Sequence, residues 1–231
     1  YQVKNDSKYL VHAYNCLMRY YEKGGETFYA IGIPACELYE LLNDSAMMDE
    51  AEAVKGVAVK HGDRILANGL NYPPHEVNFE QSIVAPAVNI LLQAHILSGK
   101  EKYLIEAKKH MDVLDLFNGR QPDFHLYENA IRHWDGYWFD KGRLYGDTFP
   151  HYWSTLTGVE RVRMASLDEK YADLAKQSLR GCLNLFKENG EASCAYVYPY
   201  KVNGFKAGYY DPWANDQDWA LYYAYKYKEF L

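Results

Sequence analysis

A short motif occurs twice in this chain. Ser98-Gly99-Lys100-Glu101-Lys102-Tyr103 returns as Ser166-Leu167-Asp168-Glu169-Lys170-Tyr171, and Ala107-Lys108 returns as Ala175-Lys176 at the same offset. Each copy follows an apolar stretch of helical period, turns within a few residues and enters a second amphipathic stretch whose first turn is acidic, where the helix dipole favours negative charge. The repeated unit is therefore a helical hairpin. A repeated hairpin cannot bury its apolar face alone, so a chain built this way must stack its units side by side.

Periodicity places the other helices around this unit. Ile83, Val84, Ala87, Val88, Leu91 and Leu92 mark a helix ending near Ser98, and its partner runs from Glu101 to about Phe117. The second hairpin pairs Pro150–Ala165 with Asp168–Glu188, and an earlier one joins Pro34–Asn43 to Ser45–Ala67. Ser7–Lys23 and Pro212–Lys228 read as helices without an evident partner. Pro34, Pro150 and Pro212 stand where a first helical residue is expected, whereas Pro86 lies inside an apolar run, so that helix starts there or kinks. The expected fold is all-α, one domain over residues 1–231.

The links within hairpins are short, but those between them are long: residues 68–79, 118–149 and 189–211. All three lead into the first helix of a hairpin, so stacking would gather them at one end of the scaffold, where function commonly sits. They also concentrate the aromatic residues, which at 23 Tyr, 9 Phe and 5 Trp make 16% of the chain. Aromatic faces stack on the apolar faces of sugar rings, and Tyr and Trp add a polar handle. The plainer alternative is bulky core filler.

Three stretches in these links carry candidate chemistry: Asn71 to Glu80, His133 to Trp153 and Tyr209 to Trp219. Glycoside hydrolysis takes two carboxyl groups, roughly 5 Å apart for retention and about 6.5–9.5 Å apart for inversion. Asp135 and Asp147 lie between aromatic residues, where desolvation raises a carboxyl pKa toward the general-acid range. Each has a structural alternative: Asp147 and Asp211 as N-caps before prolines, Asp135 as a turn residue before Gly136, and Glu76 and Glu80 as first-turn acids. His75, His133 and His151 are candidate proton carriers or substrate contacts, and equally structural histidines. Trp134, Trp138 and Trp153 are candidate sugar platforms, and Tyr152, Asp211 and Trp213 further candidate substrate contacts. Arg132, Lys141 and Arg143 make the middle link locally basic, which suits a uronic-acid carboxylate or simply a solvated face.

Several classes are disfavoured. Net charge −6, with no basic stripe, speaks against nucleic acid as a partner. No apolar run reaches the roughly 18–20 residues a membrane span needs. The motifs for serine-elbow hydrolases, nucleotide loops, dinucleotide binding and zinc peptidases are missing from the sequence. Asp211, Asn215, Asp216 and Asp218 do not follow the EF-hand pattern, and no metal or cofactor is expected. Cys16, Cys36, Cys182 and Cys194 lack metal-type spacing and read as buried free thiols, with Cys16–Cys36 or Cys182–Cys194 disulfides as the alternative.

With hairpin repeats, His133-Trp134-Asp135-Gly136 and Gly146-Asp147-Thr148-Phe149-Pro150-His151-Tyr152-Trp153, the chain resembles the six-hairpin glycosidase superfamily, in particular bacterial enzymes acting on uronic-acid-containing glycans. The resemblance implies part of an (α/α)6 toroid, an oligo- or polysaccharide substrate, acid catalysis and a periplasmic or secreted setting. The helices fall short of a complete ring, and the start Tyr1-Gln2-Val3-Lys4 is neither a signal peptide nor an initiating methionine, so the N-terminal part of the barrel is expected to be missing. The leading expectation is a hydrolase with Asp135, Asp147 and His151 at its centre. Polysaccharide lyases also use (α/α) toroids, with Tyr145 or Tyr152 and His151 as proton carriers here. A third possibility is a non-catalytic module that binds glycan or protein through its aromatic face.

Overall fold

The computed structural model describes residues 1–27, 33–69, 81–116, 132–133, 147–151, 154–183, 185–186, 188–190, 195–197, 201–202, 205–206 and 217–231. Helices dominate, and they are arranged as hairpins. The chain divides into two compact units, one of residues Tyr1–Tyr72 and Pro86–Met111, the other of Pro73–Ala85 and Asp112–Leu231. No described helix is long and apolar enough to cross a membrane.

In the first unit, α1 (Ser7–Glu22) starts on Asp6, whose carboxylate accepts the Lys8 N–H at 3.1 Å. It stops at Gly24, whose φ of +81° is the left-handed conformation glycine adopts at least cost. α2 (Ala35–Asp44) and α3 (Met48–Asn68) form the expected early hairpin, and α1 packs on both, so it does have partners. Pro34 offers α2 no side-chain cap. The orphan N–H of Cys36 is satisfied instead by Gln93 Oε1 at 3.0 Å, reached from α4 (Gln81–Ser98). Gln93 in turn donates to Asn89 Oδ1, so both buried amides of this apolar helix have partners.

α4 begins ahead of Pro86 and runs through it. Pro86 is its sixth residue, past the first turn, so the helix gives up one i→i−4 hydrogen bond there. Val88, Ile90, Leu91, Leu92 and Ala94 are all 2% exposed or less. A helix apolar on every side belongs in the middle of its neighbours.

Gly99 turns α4 into α5 (Glu101–Asp115) at a φ of +69°. The repeated Tyr103 is fully buried, and its hydroxyl donates to Asp63 of α3 at 2.8 Å. Lys102 pairs with the same carboxylate and lies 4.7 Å above the Tyr103 ring. This hydrogen-bonded cation holds the Asp63 carboxyl below the usual carboxylate range. α3 approaches closely because it presents Gly62: a Cβ there would meet Ala94 Cβ at 2.6 Å and the Tyr103 ring at 3.2 Å.

The second unit repeats the arrangement. α6 (Ser154–Ala165) and α7 (Ala172–Leu183) are linked by a turn in which Asp168 caps a short 3-10 segment, Glu169–Tyr171. Tyr171 is buried as Tyr103 is, and Lys170 lies 4.9 Å above its ring. Ala107 and Ala175, the other repeated position, are both fully buried. Gly158 lets α6 meet Leu179 of α7. α8 (Gln217–Lys226) packs against α6 and α7 and is not solitary.

Some boundaries differ from the reading of the sequence. Pro150 lies in a strand and α6 starts at Ser154, because extended residues precede the helix. The segments expected as plain loops contain short strands: β1 (Arg132–His133), β2 (Asp147–His151), β3 (Ala195–Val197), β4 (Lys201–Val202) and β5 (Phe205–Lys206). Cys36 and Cys182 are buried as expected, but Cys16 is exposed because it faces away from the α1 core stripe of Leu10 and Tyr21. Cys194 lies outside the described residues.

Gly62→Ala should lower stability by about 2 kcal/mol, since Ala94 belongs to a rigid helix and cannot yield. Gly56, with nothing within 4 Å of an added Cβ, should gain about 0.5–1 kcal/mol as alanine. Thermal unfolding of the two variants checks this opposition of sign.

Candidate functional site

Three of the candidate residues, His133, Asp147 and His151, lie on a small sheet of the second unit. Its order is β1-β2-β3, all antiparallel, with β2 in the centre. His133 is the register partner of Asp147, and Arg132 that of Thr148. On the other side Thr148 pairs with Val197 and His151 with Ala195. Two residues lie between the paired positions of β2 where only one lies between those of β3, so β2 is bulged, and Pro150, which has no N–H for a ladder, sits in that irregular stretch. Bulges of this kind occur beside active sites, where they re-aim a strand.

The sheet thus joins the link between the two repeats to the link after the second. His133, Asp147 and His151 are brought onto paired or successive strand positions. Asp147 is a strand residue well ahead of α6, so the N-cap alternative for it falls. His75, Glu76, Trp134, Asp135, Trp138, Lys141, Arg143, Tyr152, Trp153, Asp211 and Trp213 lie outside the described residues, as do Glu80 and Tyr145.

β2 leads almost at once into α6, and it also lies against α7. The start of α6 is pinned to α7 by Thr155 Oγ1 at 2.9 Å from Cys182 Sγ. Further along, the fully buried Arg161 pairs with Asp115 at the end of α5 and donates to Ser178 Oγ at 2.8 Å and the Leu174 carbonyl at 3.3 Å. One guanidinium therefore ties three helices together, which its planar fork does better than an ammonium. Glu160, beside it, is 3% exposed. Burial chiefly, and then the Glu160 charge, raises the pKa of the Tyr223 hydroxyl on α8, keeping it protonated.

These two buried charges were not singled out from the sequence. Their only mark there is an adjacent Glu-Arg pair framed by Val159 and Val162 in an apolar helix stripe. Arg161 holds together the helix that follows β2 and the helix that β2 lies against. Among the described residues no group of three or more His, Cys, Asp or Glu could hold a metal ion.

No protein-family profile matches the chain, and no curated protein does. A solved polysaccharide lyase does match. The two share 50% sequence identity and superpose with a TM-score of 0.82, over 96% of this chain and 34% of the lyase. The chain spans about a third of the length of that lyase. The likeness is to an (α/α)-type carbohydrate-active enzyme, which agrees with the helical hairpins, and it does not reach the six-hairpin glycosidases in particular.

Arg161→Ala should cost about 3 kcal/mol, the usual result of removing one partner of a buried ion pair. Thr148→Pro removes a donor from a residue paired on both sides, with Arg132 and Val197. Hydrogen exchange should show lost protection at residues 132–133 and 195–197, with the α6–α7 hairpin still protected.

Proposed function

We propose that this chain is the helical-hairpin part of a polysaccharide lyase that cleaves a uronic-acid-containing polysaccharide by β-elimination. The half-identical match to a polysaccharide lyase over nearly the whole chain is the observation that carries this reading. The hydrolase expected from the sequence has no such support.

Elimination explains the choice of substrate class. A base removes the proton from the ring carbon that bears the carboxylate, the electron pair forms a carbon–carbon double bond, and the bond from the neighbouring carbon to the glycosidic oxygen breaks. The leaving oxygen takes a proton. That ring proton is acidic enough only because the carboxylate spreads the developing charge, and cationic side chains beside the carboxylate lower the barrier further. In this reading His151, with Tyr145 or Tyr152, carries the protons, and Arg132, Lys141 and Arg143 neutralise the carboxylate. Trp134, Trp138 and Trp153 hold sugar rings by stacking.

Incubation with saturated uronic-acid oligosaccharides tests the proposal. The expected product absorbs in the ultraviolet through its new double bond, and His151→Ala should slow its formation by about 100-fold or more. New reducing ends without unsaturation, lost on changing Asp135→Asn and Asp147→Asn together, would instead establish hydrolysis. Unaltered oligosaccharide bound by folded protein would make the chain a binding module.

A further inference from the structure

One face of α8 is aromatic without being packed. The helix turns Ala220 and Ala224 inward, both nearly fully buried, and Tyr227, Phe230 and Leu231 just after it lie on the cluster of Val162, Ala175 and Leu179. The opposite face carries Leu221, Tyr222 and Tyr225, and the two tyrosines are 55% and 71% exposed. A water-facing helix position needs only a polar helix former, and tyrosine is a poorer choice there on propensity and on hydration. One exposed aromatic is ordinary, whereas large apolar side chains on adjoining positions make a patch.

Two lysines share this patch. Lys226 Nζ lies 5.8 Å from the centre of the Tyr222 ring, and Lys228 Nζ, in the 3-10 turn that follows, lies 5.1 Å from that of Tyr225. The rings attract the ammonium charges without supplying the strong acceptor oxygen that an anion would. Residues 221–231 hold two lysines against one acid, Glu229, in a chain whose net charge is −6. The patch is therefore aromatic and locally basic.

Rings and cations side by side suit a sugar that bears an acid group. The apolar face of a pyranose packs on a tyrosine ring, and its carboxylate accepts hydrogen bonds from an ammonium. Positions three apart on a helix are about 5–6 Å from each other, a distance comparable to one sugar ring, so neighbouring rings of a single glycan chain reach both tyrosines. We propose that Tyr222, Tyr225, Lys226 and Lys228 form a second, non-catalytic binding site for an acidic polysaccharide. The ligand class rests on the elimination reading above, but none of these four residues belongs to the groups assigned to that reaction.

Affinity electrophoresis through gels containing alginate, polygalacturonate or hyaluronate tests the site, with dextran as the neutral control. Residues 1–231 should be retarded by at least one acidic polymer, less so as salt is raised, and not by dextran. Tyr222→Ala with Tyr225→Ala, and separately Lys226→Gln with Lys228→Gln, should each raise the apparent Kd by about fivefold or more, with Tm unchanged. Retardation that survives both pairs of changes, retardation equally strong in dextran, or none in any gel would overturn the proposal. So would retention by an oligothymidylate in place of the acidic polymers, since stacking and charge would then serve a nucleic acid. Elimination is read separately, as ultraviolet-absorbing product. Its absence, with retardation still lost in the variants, would sink the elimination reading and leave this site standing.

Discussion

Where each repeat turns, a tyrosine is driven into the seam between helices. Tyr103 can be fully buried only because α3 offers Gly62 in place of a side chain, and because Asp63, one residue on, accepts its hydroxyl. The ring fills the space and the hydrogen bond removes the penalty of burying its polar tip. Tyr171 occupies the same repeat position in the second copy and is buried too, while within that hairpin Gly158 lets α6 approach Leu179 of α7. Hairpins assembled in this way form rigid supports, because close-packed helices have no room to shift.

The sheet depends on that rigidity. Strands of two to five residues are too short to stand alone. β2 is held because it leads into α6 and lies against α7, and these helices are joined through Thr155 and Cys182 and through the Arg161 network. His133, Asp147 and His151 thus lie on a small, bulged sheet backed by helices. Elimination needs such a framework more than it needs many catalytic groups. The base, the acid and the cation opposing the substrate carboxylate must act on adjacent atoms of one sugar ring, where small displacements are costly.

Much of the helical framework was legible. The repeat around Tyr103 and Tyr171 marks both hairpins, and Glu101 and Asp168, where their second arms were placed, do stand where α5 starts and where the second turn is capped. The strands were less legible, since segments this short show no alternation to read. Asn203-Gly204, between β4 and β5, is one hairpin signal that stood in plain view. Pro150 misled because proline opens helices and also occupies irregular strand positions, and only the neighbouring chain distinguishes the two. Composition likewise drew attention to the aromatic and acidic links, but composition does not distinguish elimination from hydrolysis, which draw on the same residue types.

The sequence by itself determined that this chain makes helical hairpins with long aromatic links, because helical period, caps and turn residues are local properties. Tertiary structure alone decided that His133 lies opposite Asp147, that His151 pairs with Ala195 across a bulge, and that Gln93 caps α2 from another helix. It also decided that the Leu10 and Tyr21 stripe of α1 is the one covered. Such pairings join residues far apart in the chain, and their energy comes from packing that no local window contains.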